Sequence, residues 1–309
     1  MHIARPMHSP LAALDDAPGW LNSEPLTAAG LNGHVVAVDF WTYSCVNWLR
    51  TLPYVRAWHE RYRERGLVVV GVHAPEFGFE HDLDNVRRAV AELNVPYPVV
   101  IDNEFAIWRA FENRYWPALY VVGPDGRVRF EHFGEGAYEE SERAIQQLLG
   151  IDEDTVTVDA SGLAEAADWR TLNSPETYVG GARAERRRDA DVGRLGLNEW
   201  ALAGDWSVGE EEAVLQAAGG SIAYRFDARD VNLVLAPPAD GAAVPFTVSL
   251  DGRPPGDDRG VDVDASGAGR LDEPRMYQLV RRRGGGATDA TFEISFSAPG
   301  ARAYVFTFG

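Results

Sequence analysis

The chain has 309 residues, a formal net charge of -18 and a pI near 4.8. This length predicts two domains, each large enough to bury its own core. The acidic excess excludes nucleic acid and anionic membrane surfaces as expected partners, because both need clustered positive charge.

The first half alternates strand-like and helix-like segments in the order βαβαβαββα, after an N-terminal extension over residues 1–19. Strands separated by helices predict a largely parallel sheet, and the turn at 124–126 adds an antiparallel hairpin. This α/β domain is expected over residues 20–150. Its predicted strands are His34–Trp41, Leu67–Ala74, Tyr97–Asp102, Pro117–Gly123 and 127–133.

The second half has a different pattern. Residues 151–173 are acidic and rich in alanine, which predicts a linker. From 174 to 309 apolar and polar residues alternate between Gly, Pro and Asp turns. This alternation predicts an all-β domain, a jelly-roll-like sandwich.

Cys45, the only cysteine, follows the first strong strand and opens a helical pattern. A thiol at a helix N-terminus has its pKa lowered by the backbone N–H groups and the helix dipole, and it reacts as the thiolate. The position therefore predicts a nucleophilic sulfur. A buried, inert cysteine is the structural alternative.

The segment VDFWTYSCVNWLRTLPYV resembles the active-site segment of thioredoxin-like proteins of the TlpA-like and DipZ type. The likeness continues through GVHAPEFGFE and NRYWPALYVVGPDGRV. It implies a thioredoxin-like fold for the first domain, and it implies that the second is the accessory, carbohydrate-binding-module-like sandwich found in that family.

The resemblance also implies roles for individual residues. Asp39 matches a buried carboxylate that carries protons for the second sulfur of the family's Cys-x-x-Cys motif. Trp116 and Pro117 match the cis-proline loop, which lies against the reactive sulfur and offers backbone groups to an extended substrate. These assignments imply protein or small-molecule thiols and disulfides as partners.

The sequence departs from the motif at Trp48, where the second cysteine would stand. Without a resolving thiol, a mixed disulfide at Cys45 persists until an external thiol arrives. The leading hypothesis is a thiol–disulfide oxidoreductase that uses one sulfur. Two others remain open. One is a non-catalytic peptide- or glycan-binding protein. The other is a one-cysteine peroxidase, whose site needs Thr or Ser three residues before the cysteine, where Thr42 stands, and Pro seven residues before it, where Val38 stands.

Aromatic residues surround the motif and predict an apolar, partly desolvated site, which opposes the effect of the helix on the thiol pKa. Tyr43, Trp48, Trp116 and Pro117 are the candidate substrate-docking residues. His73 and Glu76, near the end of the second strand, are candidate accessory proton-transfer groups. The aromatic set is Trp41, Tyr43, Trp48, Tyr115 and Trp116.

The second domain offers two candidate sites. A glycan would stack on exposed flat aromatics, although core packing is the competing interpretation for each one. Calcium could bind a D-x-D-x-S-G loop with Glu at its twelfth position; otherwise we expect no cofactor or metal. The aromatic candidates are Trp200, Trp206, Tyr224 and Tyr277, and the calcium candidates are Asp262, Asp264, Ser266 and Glu273.

Two features bear on the compartment. The sequence contains no secretory signal and no apolar stretch long enough to span a membrane. One cysteine cannot form an internal disulfide, which favours a reducing compartment. We therefore predict a cytoplasmic protein, or an exported one if these residues belong to a longer exported polypeptide.

Overall fold

The computed structural model describes residues 9–188, 195–284 and 289–309. The chain divides into two compact units, Met1–Ala164 and Glu165–Gly309, and this division falls inside the predicted linker. Within the described ranges, no helix combines the length and the apolar character needed to cross a membrane.

One six-stranded sheet organises the first unit, and it confirms the predicted α/β architecture. The order across the sheet is β1-β4-β3-β2-β5-β6. The pairs β2–β3 and β3–β4 are parallel, and the other neighbours are antiparallel. The strands are β1 (Trp20–Leu21), β2 (Val35–Trp41), β3 (Leu67–His73), β4 (Val99–Ile101), β5 (Ala118–Val122) and β6 (Val128–Phe133).

Helices alternate with these strands as the pattern predicted. Short 3-10 helices lie at Pro10–Leu14, Arg63–Arg65, Gly78–His81 and Gly162–Ala164. The α-helices are α1 (Ala28–Leu31), α2 (Val46–Tyr62), α3 (Leu83–Glu92), α4 (Ala106–Ala110) and α5 (Tyr138–Leu149).

The central strand β2 is buried at every position, which explains its unbroken apolar run. Its side chains Val36, Val38 and Phe40 belong to a core that also contains Leu11 and Leu14. Part of the predicted N-terminal extension therefore packs against the domain.

Over its described residues the second unit is strand-rich, as predicted, and its strands form two sheets. One has the order β10-β11-β18-β13-β16, with β7 paired to β18, and the other has the order β15-β14-β17-β12-β9-β8. The strands are β7 (Thr177–Tyr178), β8 (Arg187–Arg188), β9 (Trp200–Ala203), β10 (Trp206–Val208), β11 (Ala213–Leu215), β12 (Ser221–Phe226), β13 (Asp230–Ala236), β14 (Val244–Leu250), β15 (Ala268–Leu271), β16 (Arg275–Arg281), β17 (Ala290–Phe296) and β18 (Arg302–Phe308).

Both sheets contribute to one hydrophobic core. Phe292 and Ile294 of β17 enter it from one sheet, and Leu233 and Phe306 enter from the other. The alternation along β17, where inward residues are buried and the residues between them are partly exposed, is the period-2 pattern of a sandwich strand.

A buried carboxylate fixes α2, the helix that starts next to Cys45. Glu142 of α5 accepts hydrogen bonds from Trp58 Nε1 at 3.2 Å and from the Tyr62 hydroxyl. It also accepts from the backbone N–H of Val156 at 2.9 and 3.0 Å. One side chain thus joins α2, α5 and the segment that follows α5.

We expect Glu142→Ala to destabilise the first unit by about 2–5 kcal/mol, because it leaves buried donors without an acceptor. Pulse-labelling hydrogen exchange of α2 across a urea series measures this. The exposed Glu139 on the same helix is the control: Glu139→Ala should cost under about 1 kcal/mol. Equal losses in the two variants would contradict the role given to Glu142.

Candidate active site

Cys45 is the residue immediately before α2, at the end of a three-residue turn that follows β2. Its backbone N–H donates to Thr42 O at 3.3 Å, which closes this turn. The side chain is partly exposed. The structure thus presents the sulfur at a helix N-terminus, where unpaired N–H groups favour an anion.

The peptide bond between Trp116 and Pro117 is cis. It directly precedes β5, the antiparallel neighbour of β2, and the Cys45 Sγ lies 3.9 Å from Trp116 O. The Trp116 indole is held by a 2.9 Å hydrogen bond from Nε1 to Ala74 O and by contact with the Trp108 ring. The sulfur and the predicted docking loop therefore lie together.

Trp48 is completely buried and points into the domain. Its ring stacks on Trp41 with centroids 4.2 Å apart, and its Nε1 donates to Asp39 Oδ2 at 2.9 Å. The residue that replaces the resolving cysteine is thus bound to the carboxylate that the resemblance assigns to that cysteine.

Asp39 is buried with two hydrogen-bond donors. Besides Trp48, the Tyr97 hydroxyl donates to Oδ2 at 3.4 Å, and Oδ1 has no partner among the described residues. Burial raises the pKa of Asp39 to about 7, and the two hydrogen bonds lower it by less. A proton-carrying role for Asp39 stays a prediction.

The structure corrects two of the predicted docking residues. Trp48 is fully buried, and Tyr43 is 5% exposed, with its hydroxyl 3.4 Å from Phe79 O. Both rings pack inside the protein and cannot reach a substrate in this conformation. The exposed aromatic rings near the cis-proline loop are Tyr115 and Phe133, which are 55% and 42% exposed, with ring centroids 5.4 Å apart.

His73 is completely buried at the end of β3. Its ring stacks on Tyr43 at 5.8 Å and meets Trp41 edge-on at 5.0 Å. Burial lowers the pKa of His73 to about 3, so the ring is neutral near pH 7. The aromatic packing does not support its predicted role as a proton-transfer group.

Glu80 is a site residue that sequence reasoning missed. It is completely buried, and the Ser44 hydroxyl donates to its Oε1 at 2.6 Å. The backbone N–H groups of Glu76 and Phe77 donate to its Oε2. Glu76, the predicted accessory group, thus contributes its backbone to the carboxylate four residues later.

In the second unit, the aromatic glycan candidates are part of the core rather than an exposed platform. Trp200, Tyr224 and Tyr277 are completely buried, and Trp206 packs against the same core while partly exposed. Their side chains fill the space between the sheets. Core packing, the competing interpretation, holds for the three buried rings.

The residues of the candidate calcium loop form ion pairs and hydrogen bonds with other groups of the protein. Asp262 pairs with Arg275 at 2.8 Å and accepts from Gln278 N, and Asp264 accepts from the backbone N–H and the hydroxyl of Ser266. Glu273 donates its backbone N–H to the Tyr277 hydroxyl. No cluster of three or more acidic, His or Cys side chains suited to a metal occurs within the described ranges, and calcium binding stays a prediction.

Each half of the chain matches a known protein family. Residues 14–131 match the AhpC/TSA family, and residues 174–309 match the family described as thioredoxin like C-terminal domain. The first match contains Cys45 and Pro117. The second covers the strand-rich unit.

Individual relatives agree with these matches. Protein DipZ of Mycobacterium tuberculosis (strain CDC 1551 / Oshkosh) is 34% identical over 307 residues, which cover 94% of this chain. The match spans 41% of that relative, about two fifths of its length. Thiol-disulfide oxidoreductase YkuV of Bacillus subtilis (strain 168) is 27% identical over 147 residues, covering 48% of this chain and 99% of YkuV.

A solved structure described as a thioredoxin-like protein in the oxidized form is 30% identical, covers 44% of this chain and 90% of its own, and has a TM-score of 0.40. Sequence, sheet order and the placement of Cys45 beside a cis-proline lead to one assignment. The chain is a relative of the thioredoxin-like thiol–disulfide oxidoreductases, and its second half matches the thioredoxin like C-terminal domain.

Proposed function

We propose that the protein performs thiol–disulfide exchange with Cys45 as its single nucleophile. The observation that carries the proposal is a partly exposed sulfur at the start of α2, 3.9 Å from the carbonyl that precedes cis-Pro117. Position 48, where the family has a second sulfur, holds a buried indole.

The proposed exchange has two balanced steps. The Cys45 thiolate attacks one sulfur of a substrate disulfide, forms a mixed disulfide and releases the other sulfur as a thiolate. An external thiolate then attacks the substrate sulfur of the mixed disulfide and releases the Cys45 thiolate. The chemistry requires no cofactor, and a reducing compartment such as the cytoplasm would supply the external thiol.

A non-catalytic binding protein on the same scaffold is the second candidate, and the buried Trp48 favours it because no resolving sulfur is present. Its partners would be a peptide at the cis-proline loop and a glycan at the sandwich. The buried candidate aromatics leave Trp206 as the partly exposed ring for stacking on a sugar. The one-cysteine peroxidase is the third candidate, and Val38 stands where that site needs proline.

The native protein should form a mixed disulfide with glutathione disulfide, visible as one added glutathionyl group by intact mass. The adduct should persist on dilution and disappear when excess thiol is added, because the protein lacks a second sulfur. Cys45→Ser is the control and should stay unmodified. An adduct that forms in denaturant but not in the native protein would favour the binding protein.

Restoring the second sulfur by Trp48→Cys should raise insulin reduction at least about tenfold with dithiothreitol as reductant, because intramolecular attack has a high effective concentration. Trp48→Ala is the matched control. Both variants lose a buried indole, which lowers the free energy of unfolding by about 3–5 kcal/mol, and only Trp48→Cys gains a sulfur.

Comparing folded Trp48→Cys with folded Trp48→Ala separates the effect of the added sulfur from the effect of losing the buried indole. Circular dichroism and intact mass should show a folded Trp48→Cys protein that loses two hydrogens on oxidation. If folded Trp48→Cys reduces insulin no faster than Trp48→Ala, the site does not support exchange at Cys45.

A further inference from the structure

The loop Ala74–Glu80, which follows β3, contacts both sides of the Cys45 site. Because β2 and β3 are parallel neighbours, with Trp41 opposite His73, the turn before Cys45 and this loop leave the sheet side by side. Ala74 N donates to Trp41 O, and Ala74 O accepts from the Trp116 indole. One loop therefore reaches both the thiol side and the cis-proline side.

Glu80 closes this loop onto the turn. Its Oε2 accepts the N–H groups of Glu76 at 2.6 Å and Phe77 at 3.0 Å, and its Oε1 accepts the Ser44 hydroxyl at 2.6 Å. Ser44 is the residue next to Cys45. Three donors converge on a carboxyl that is completely buried, and hydrogen bonds to a carboxylate are stronger than those between neutral groups.

Among the described residues, the groups that set the pKa of Glu80 include no cation. Burial raises its pKa to about 7, the hydroxyls of Ser44 and Thr42 lower it, and nearby Glu76 raises it further. At the end of β3, His73 is neutral near pH 7. The charged residues that follow in the chain, His81, Asp82 and Asp84, are exposed to solvent.

We infer that Glu80 is a positioning residue for the exchange at Cys45: through Ser44 it holds the turn that presents the sulfur to the cis-proline loop. This inference rests on the proposed exchange function. Glu80 touches no reacting atom and acts through Ser44 and the loop.

The ionised and protonated forms of Glu80 differ in what they can hold. The carboxylate accepts all three donors at once. The protonated form has one oxygen that donates, so the Ser44 hydroxyl must reverse its role or lose the bond. Glu80→Gln imitates the protonated form, because the amide also has one accepting oxygen and one donating group.

The test compares the rate of mixed-disulfide formation with glutathione disulfide in wild type and Glu80→Gln. At pH 8 wild type should be about tenfold faster, the effect of one charge-assisted hydrogen bond. At pH 6, where wild type is also protonated at Glu80, the ratio should approach one. Each rate is divided by the thiolate fraction of Cys45, taken from the pH dependence of its alkylation in that protein, so the titration of Cys45 does not enter the ratio.

Three variants control the comparison. Ser44→Ala removes the same hydrogen bond by deleting its donor. The ratio of the wild-type rate to the Ser44→Ala rate should show the same pH dependence, and adding Glu80→Gln to Ser44→Ala should change the rate little. Glu142→Gln alters another buried carboxyl that accepts several donors, and its exchange rate should match wild type while folded. Asp39→Asn removes the other buried carboxyl of the site whose pKa is raised to about 7, and the ratio should survive in that background.

A ratio that is equal at pH 6 and pH 8, or a similar loss in Glu142→Gln, would overturn the role of Glu80. A second measurement does not depend on activity: hydrogen exchange at pH 8 should be faster in Glu80→Gln than in wild type at the turn 42–45 and at Glu76 and Phe77. Unchanged protection there would also overturn it. If wild type forms no mixed disulfide at all, the proposed function fails. The hydrogen-exchange rates of these backbone amides then still decide whether Glu80 holds the turn.

Discussion

The pairing of β2 with β5 is the constraint on which the site depends. The two strands run antiparallel with Phe40 opposite Ala118, so the C-terminal end of β2 meets the N-terminal end of β5. The turn to Cys45 leaves one strand where cis-Pro117 enters the other. The sheet itself therefore brings together the Cys45 sulfur and the backbone of the cis-proline loop, the two groups on which the proposed exchange depends.

The indole at position 48, where the family has its second sulfur, lies in the interior of the domain. Trp48 is buried, stacks on Trp41 and donates its indole N–H to Asp39. The carboxylate that the resemblance assigns to a second thiol is therefore hydrogen-bonded to the indole instead. Cys45 is partly exposed, and its sulfur lies 3.9 Å from Trp116 O. The structure thus places the Cys45 sulfur beside the cis-proline loop and, at position 48, a buried indole in place of a second sulfur.

Much of this arrangement could be predicted from sequence because it rests on local patterns. The apolar run of β2, the helical pattern after Cys45 and the Trp-Pro pair identify the sheet and the site, and alternation identifies the sandwich. The short edge strand β1 was missed, since two residues carry no period. Glu80 was missed because its contact with Ser44 joins residues 36 positions apart. Burial of Trp48 and Tyr43 depends on packing between several elements, which a single-sequence pattern does not contain.

The most direct test of the account is the structure of the mixed disulfide between Cys45 and a short cysteine-containing peptide, trapped in the absence of external thiol. The account predicts a sulfur–sulfur bond at Cys45 with the peptide extended along the backbone of Trp116, and with Trp48 still bound to Asp39. A protein that forms no such bond, or a peptide that lies away from the cis-proline loop, would contradict it.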